Sequence, residues 1–368
     1  MKFGFLLFAL PFLALIAITS VVVFKVGVVF GVLKTPLVRQ IVMWVFILLP
    51  IILITTMAIG NKHFNYINIF FYHIAVTWLP VLIYLFMGAV LLSLINFVAV
   101  YSGHPVNMYV LSVWVIVITA VATGYGIVNA TMPRIVTYDI DSPALSKQWA
   151  GKNIVLVSDT HLGVVRSGKF MKKVVGKINE QKPDVVFIAG DIIDGPVFNY
   201  QKGLSPLKDI KSTFGIFYTP GNHEGYNPEP EKFYPIVKAL TTTVIDSKTE
   251  VNGTAIVGLD YRRETVEATA ERLKDTGFRA DVPTIALLHD PTNVTTLMDA
   301  GVSLVLSGHT HCGQFFPINL VVRGIYKEYT YGVNVRGNST AVTTCGVGTA
   351  MSPLRLGTNP EIVVLHIK

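Results

Sequence analysis

The pattern of apolar and polar positions divides this chain into two parts. Up to about residue 133, long apolar runs are interrupted only by short polar breaks, whereas later apolar runs are short and alternate with polar segments. A helix needs roughly 20 apolar residues to cross the hydrocarbon core of a bilayer. Four stretches are this long, at residues 3–33, 37–60, 67–98 and 106–128. We therefore predict a transmembrane unit of about four helices over residues 1–133 and a separate domain over residues 134–368.

The first apolar stretch could instead be a signal peptide. Its apolar run exceeds the usual length of roughly 7–15 residues, and no Ala-x-Ala cleavage pattern follows it, which favours a membrane helix. The orientation of a membrane protein follows from its Lys and Arg residues near the span ends. Five lie on the side of the termini and two on the other: Lys2, Lys62, Arg134, Lys147 and Lys152, against Lys34 and Arg39. This count favours an integral membrane protein with the second domain on the cytoplasmic side.

Charged residues are distributed as unevenly as apolar ones. Residues 1–133 contain no Asp or Glu and five of the 30 Lys and Arg residues, whereas all 23 acidic residues follow. The second part is therefore almost neutral, and most of the formal charge of +7 flanks the apolar stretches. Nucleic-acid binding domains carry a basic patch. We expect no nucleic-acid partner.

The second part reads as an α/β domain. Short apolar runs typical of buried strands alternate with segments of helical periodicity, and two strands near the C-terminus have no helix between them. The runs lie at residues 153–158, 184–190, 215–222, 284–290 and 303–309, and the last two at 341–348 and 361–367. This order predicts layers of helices covering a pair of mixed sheets.

Five of these strands end in polar clusters that contain five of the six histidines after residue 133. The clusters are Asp159-Thr160-His161, Gly190-Asp191, Gly221-Asn222-His223-Glu224, His289-Asp290 and Gly308-His309-Thr310-His311. Ligands of α/β sheets bind beyond the carboxyl ends of the strands. Carboxylate, amide and imidazole donors together suit divalent metals such as Mn, Fe, Zn or Co. Seven candidate ligands are too many for one tetrahedral site and indicate two metals that share a bridging carboxylate.

The local backbone permits the predicted ligands to converge. In Asp-x-His and His-x-His, alternate side chains project together if the backbone is extended, and Gly308 permits a tight approach to the cluster.

Cys312 and Cys345 could form one bridge in an oxidising compartment or remain isolated thiols. We expect thiols, with Cys312 a bystander at a tight turn, because the ligand set is complete without it.

The segments "SDTHLG", "GDIIDG", "TPGNHE", "LLHDP" and "SGHTHCGQ" resemble the five sequence blocks of the calcineurin-like metallophosphoesterase superfamily, across residues 150–315. The tail "GTNPEIVVLHIK" is similar to a membrane-associated bacterial branch. The resemblance implies a four-layer α/β/β/α sandwich with two metals at its strand ends. It implies the first metal at Asp159, His161, Asp191 and His311, and the second at Asp191, Asn222, His289 and His309.

The resemblance also implies roles in catalysis. Asp191 would bridge the metals, and His223 would protonate the leaving oxygen or bind the transferred phosphate. The attacking group would be a metal-activated hydroxide, so no protein nucleophile is expected. Asp194 and Glu224 would orient histidines.

These expectations describe a membrane-anchored phosphohydrolase with two divalent metals. The membrane unit suggests a phosphodiester or pyrophosphate of a lipid or lipid-linked substrate. Arg262, Arg263 and Arg355 are candidates to bind further phosphate oxygens or simply surface charges. The alternative function is a membrane sensor or transporter component whose phosphoesterase domain binds metal or nucleotide without turnover.

Overall fold

The computed structural model describes residues 2–59, 66–194 and 199–368, without the side chains of residues 2–10 and 57–59. The polar break predicted at residues 60–65, with Lys62, and Gly195 of the "GDIIDG" segment lie outside the described residues. The chain forms two compact units, Met1–Ile127 and Val128–Lys368. Each unit is described below by itself.

The first unit consists of membrane-length helices. They are α1 (Lys2–Val29), α2 (Pro36–Ile59), α3 (Tyr66–Tyr101) and α4 (Met108–Asn129, whose last residues belong to the second unit). All four are long and apolar enough to cross a membrane, which confirms the four predicted apolar helices. They pack through small groups of buried apolar side chains, among them Ile16, Trp78 and Leu82. Most other large side chains face outward, as expected of helices whose surroundings are lipid.

The second unit alternates strands with helices. Its strands are β1 (Arg134–Ile140), β2 (Asn153–Val157), β3 (Leu162–Gly163), β4 (Val185–Ala189), β5 (Ile193–Asp194), β6 (Ile216–Thr219), β7 (Thr242–Thr243), β8 (Ser247–Val251), β9 (Thr254–Leu259), β10 (Thr284–Leu288), β11 (Leu304–Ser307), β12 (Gly332–Arg336), β13 (Ser339–Thr343) and β14 (Glu361–Ile367). Its helices are α5 (Pro143–Trp149), α6 (Gly168–Glu180), α7 (Tyr200–Leu204), α8 (Asn222–Gly225), α9 (Pro230–Leu240), α10 (Val266–Asp275), α11 (Val294–Asp299) and α12 (Ile318–Tyr326).

Two six-stranded mixed sheets form the centre of this unit. Their strand orders are β1-β14-β2-β4-β6-β7 and β12-β13-β11-β10-β9-β8. The strands β2, β4, β6 and β7 are parallel, as are β9, β10, β11 and β13, whereas β8 and β12 are antiparallel edges. Parallel strands end at one edge of their sheet, so each sheet presents several strand ends together.

The two sheets pack face to face over one apolar core. Phe187 of β4 and Leu306 of β11 are fully buried in it; burying one such side chain contributes about 1.5–3 kcal/mol. The outer face of the first sheet packs on α6, α7 and α9, and that of the second on α10 and α11. The predicted four-layer α/β/β/α architecture is confirmed.

Candidate metal centre

All seven predicted ligands lie within four residues after the end of a strand, and the structure brings them together. Asp159 and His161 follow β2, Asp191 follows β4 and Asn222 follows β6, whereas His289 follows β10, and His309 and His311 follow β11. The strand ends of both sheets thus face one cleft.

The first group consists of Asp159, His161 and His311, whose ligand atoms lie within 4.8 Å of one another. His161 Nε2 lies 2.9 Å from His311 Nε2, and His311 Nε2 lies 3.4 Å from Asp159 Oδ1. All three residues are buried, and among the described residues Asp159 Oδ1 has no hydrogen-bond partner. A buried carboxylate oxygen without a partner is costly, and a cation among these atoms would satisfy it.

The second group consists of Asp191, His289 and His309, with Asn222 beside them. His289 Nε2 lies 3.2 Å from each of Asp191 Oδ2, Asn222 Oδ1 and His309 Nδ1. Asp191 Oδ2 also lies 3.8 Å from His161 Nε2 of the first group. One carboxylate oxygen therefore lies between the two groups, which is the position of a bridging ligand.

The carboxylates of the site are held ionised. Burial alone would raise the pKa of Asp191, but the charge of His289 and the hydrogen bond to it hold that pKa far below its usual value. Burial also opposes ionisation of Asp159, yet the neighbouring imidazoles of His311 and His161 keep its pKa well below normal. Both carboxylates are thus ionised and can serve as anionic oxygen ligands of a divalent metal.

The backbone at the ligands differs from the extended conformation that we expected, and that expectation is wrong. Five candidate ligands have positive φ angles: Asp159 (57°), His161 (48°), Asp191 (52°), His309 (69°) and His311 (46°). The left-handed region is unfavourable for residues other than glycine, at about 1–3 kcal/mol each, and such residues cluster at functional sites. The turn places both histidines of His309-Thr310-His311 inside the cleft, whereas Thr310 bonds outward to the carbonyl of Thr330.

Gly308 makes the close approach that its position predicts. A Cβ atom there would collide with the side chains of Ser158 and Asp159. The backbone of Gly308 also donates to the carbonyl of His289 at 3.0 Å. Any larger residue at position 308 would push the histidine loop away from Asp159.

His223 lies at the open side of the two groups, with 22% of its side chain exposed. Its Nδ1 lies 3.0 Å from Asp194 Oδ1, and its ring centre lies 4.6 Å from that of His161. Burial would lower the pKa of His223, but the hydrogen bond to Asp194 and the charge of Asp191 raise it to about 9. The imidazole is therefore protonated at neutral pH and can donate from Nε2 into the cleft.

Among the described residues Glu224 bonds to backbone amides and to no histidine, which corrects our expectation. Its carboxylate accepts backbone N–H bonds at 2.7–3.2 Å from four residues of two loops, namely Asp191, Ile192, Ile193 and Gly221. Burial and the charge of Asp191 raise the pKa of Glu224, and the N–H donors from Gly221 and Ile193 oppose this rise. Glu224 thus fixes the loop that carries Asp191 and the start of the loop that carries Asn222.

Cys312 and Cys345 form a disulfide, so the expectation of two isolated thiols is wrong. Cys312 has a φ of 52°, and this turn brings its Cα within 5.0 Å of that of Cys345. The bridge joins the segment after His311 to the segment after β13. The sequence feature that could have indicated the bridge is that the chain has only two cysteines and both lie in the second unit.

Arg355, the third candidate for phosphate binding, bonds to the protein backbone instead. It is fully buried, and its guanidinium donates to carbonyls around the cleft, those of His311, Cys345, Gly346 and Gly348. It thereby ties the same two segments that the disulfide joins.

Arg262 and Arg263 lie beside the cleft. Arg262 pairs with Asp246 at 2.6 Å, whereas the exposed Arg263 bonds to the hydroxyl of Tyr261 at 3.1 Å. Both arginines line a cavity of about 450 Å³, together with Tyr261, His309 and Tyr326. The cavity therefore opens directly from a candidate ligand and offers cationic and aromatic groups.

Comparisons with known proteins agree with this arrangement. Residues 152–313 match the family model of the calcineurin-like phosphoesterases. An uncharacterized metallophosphoesterase of Campylobacter jejuni is 30% identical over 272 residues, which cover 71% of this chain and 69% of that protein. A transmembrane protein with a metallophosphoesterase domain from Danio rerio is 28% identical over 280 residues, covering 70% of this chain and 62% of that protein. An uncharacterized metallophosphoesterase of Helicobacter pylori J99 is 32% identical over 220 residues, covering 58% and 59%.

This chain thus spans less than two thirds of the length of the Danio and Helicobacter relatives. The matched region contains all seven candidate ligands and His223. On this sequence similarity and the layered fold, the chain belongs to the calcineurin-like metallophosphoesterase family.

Proposed function

We propose that this protein is a membrane-anchored phosphohydrolase that uses two divalent metals. The observation that carries the proposal is the position of Asp191 Oδ2, which lies between two groups of buried ligands. Asp159, His161, His311 and Asp191 would hold one metal, and Asp191, Asn222, His289 and His309 the other. Bound there, the metals would polarise the phosphoryl group and lower the pKa of a water molecule.

The remaining chemistry belongs to His223. Asp194 holds its Nδ1 at 3.0 Å, so Nε2 is the nitrogen that faces the cleft and donates a proton to the leaving oxygen. The same proton can instead bind a phosphate oxygen. A thiol nucleophile plays no part, because both cysteines are in the disulfide.

The substrate we propose is a phosphodiester or pyrophosphate of a lipid or lipid-linked molecule. Four membrane-length helices precede the catalytic unit in the same chain, which keeps the enzyme at its lipid supply. The cavity beside His309 is lined by Arg263, Tyr261 and Tyr326. A guanidinium suits a second phosphate and the tyrosines suit a partly apolar group.

We propose that the catalytic unit faces the oxidising side of its membrane. The count of Lys and Arg residues favoured the cytoplasmic side. Disulfides, however, are rare in reducing cytosol and persist in oxidising compartments. We give the Cys312–Cys345 bridge more weight than the count of Lys and Arg residues, because that count differs only by five against two.

The test is hydrolysis of bis(p-nitrophenyl) phosphate by the purified full chain with Mn²⁺. We expect turnover, and we expect Asp191→Asn to abolish it by removing the shared charge. Asp281→Asn, at an exposed residue paired with Arg279, is the matched control and should retain full activity. Activity that persists in Asp191→Asn would refute the proposal, whereas tight metal binding without turnover of any phosphoester would favour the sensor alternative.

A further inference from the structure

Helix α12 exposes apolar side chains where a soluble domain exposes polar ones. Leu320 is 58% exposed, Val321 58% and Ile325 64%, and Phe316 just before the helix is 40% exposed. Every residue of α12 is at least partly exposed. A surface helix of a globular domain turns its apolar stripe toward the core, so this outward apolar face needs another partner.

Another surface helix of the same unit shows the ordinary arrangement. In α10, Leu273 is buried in the core, whereas Glu267, Glu271 and Lys274 are exposed. The difference therefore belongs to α12 itself and not to the helices of this domain in general.

The charges of α12 suit a membrane surface. The helix contains no acidic residue, its one charged residue is the exposed Arg323, and Lys327 follows its last turn. Interfacial helices bury an apolar face at the boundary between headgroups and acyl chains and keep basic residues at the level of the headgroups. The outward face of α12 has this composition.

Hydrogen bonds connect the start of α12 to the end of a membrane-length helix. Asn129, the last residue of α4, donates to the carbonyls of Arg355 and Thr358 at 3.1 and 2.9 Å. Thr358 Oγ1 in turn donates to the carbonyl of Gln314 at 2.6 Å, and the amide of Phe316 donates to the carbonyl of Leu356 at 2.9 Å. Residues 355–358 therefore contact both the chain where it leaves α4 and the segment that leads into α12.

We propose that α12 docks into the surface of the bilayer that anchors this chain, with Leu320, Val321 and Ile325 among the acyl chains. The Tyr326 ring at the end of α12 lies 6.0 Å from that of His309 and lines the cavity. Docking would place the cavity mouth at the level of the headgroups, where a phosphoester can enter while its acyl chains stay in the membrane. This consequence for the substrate rests on the proposed function, whereas the docking itself does not.

The direct test places a fluorescent reporter on the helix. The full-chain Leu320→Trp variant is reconstituted in nanodiscs whose lipids are brominated on the acyl chains. The fluorescence of the added tryptophan is the difference between the variant and the parent protein. We expect strong quenching of the added tryptophan. The control is Val335→Trp, because Val335 is 70% exposed and pairs with Thr340 at the start of β13, the end opposite to the metal centre. Equal quenching at the two positions would overturn the proposal, as would unquenched Leu320→Trp in a protein that cross-links as a dimer through α12.

A second variant separates docking from catalysis. Leu320→Asp combined with Ile325→Asp changes exposed side chains, so it should fold and hydrolyse soluble bis(p-nitrophenyl) phosphate as the parent does. Its hydrolysis of bilayer-resident phosphoesters should fall by about tenfold, because acidic residues are excluded from acyl chains. An unchanged rate on bilayer substrate would overturn the proposed docking. Quenching of Leu320→Trp in a protein that cleaves no phosphoester would support the docking and refute only the proposed function.

Discussion

Removing the disulfide should destabilise the catalytic unit by an amount that its loop length sets. Cys312 and Cys345 are 33 positions apart. For a closed loop of this size, the entropy that the bridge removes from the unfolded chain corresponds to about 3.7 kcal/mol at 25 °C. A unit of this size loses roughly 2–4 °C of melting temperature per kcal/mol. The variant with Cys312→Ala and Cys345→Ala should therefore unfold about 7–15 °C below the parent.

The same change should weaken metal binding. One end of the bridge directly follows His311, and the other directly precedes Gly346, where a Cβ atom would collide with Asp159. Without the bridge, the left-handed turn at His309 and His311 has one restraint fewer. More Mn²⁺ should then be needed to reach half-maximal activity.

The assay is thermal unfolding of the detergent-solubilised full chain, with the loss of phosphodiesterase activity as a second readout. The parent treated with reductant is the internal control, since it should show the same decrease while the double variant shows no further change. If the double variant unfolds at the parental temperature and reductant changes neither protein, the assigned bridge or its stabilising role is incorrect.

Three further predictions concern the site. Glu224→Gln replaces one acceptor oxygen, so two of the four backbone bonds are lost and stability should fall by about 3–6 kcal/mol; exposed Glu250→Gln should leave the melting temperature unchanged, and equal melting of both variants would contradict the role of Glu224. His223→Ala should slow diesters with alkyl leaving groups by about 10²–10⁴-fold and nitrophenyl diesters far less, because nitrophenolate leaves without protonation; equal losses would exclude a proton donor. Removal of metal by a chelator should lower the melting temperature, since an ion present at about 100 times its dissociation constant stabilises the fold by about 2.7 kcal/mol; unchanged melting in the Mn²⁺-loaded and stripped protein would argue against a built metal site.

Hydrophobic patterning was sufficient to predict the membrane-length helices and a layered α/β domain with a pair of mixed sheets, whereas the four-layer sandwich was implied by the family resemblance. The four apolar runs form α1 to α4, and the short runs after residue 133 form the inner strands of the two sheets. The signal is strong because membrane helices and buried parallel strands are apolar throughout their length. The strand ends also located the candidate ligands, since each cluster directly follows an apolar run. Residues 318–326, which form α12, were not assigned to any element from the sequence.

Contacts between distant segments could not be predicted from hydrophobic patterning. The pairing of Cys312 with Cys345 depends on how β11 and β13 lie side by side, and a count of two cysteines led us to expect thiols. The expectation that Glu224 orients a histidine was wrong for the same reason. Its sequence neighbours are Asn222 and His223, but its partners are amides of the loop after β4.

The residues outside the ligand set explain how the strained ligand backbone persists. Five ligands in the left-handed region cost about 1–3 kcal/mol each, so the surrounding contacts must favour the turned loops over relaxed ones. Glu224 supplies four backbone bonds to the loops of Asp191 and Asn222, whereas Arg355 and the disulfide hold the loop of His309 and His311. The loop of Asp191 and the loop of His309 and His311 are therefore tied by groups outside the proposed ligand set. Loss of any one of them should lower metal affinity before it unfolds the protein, because the strain is released at the ligands first.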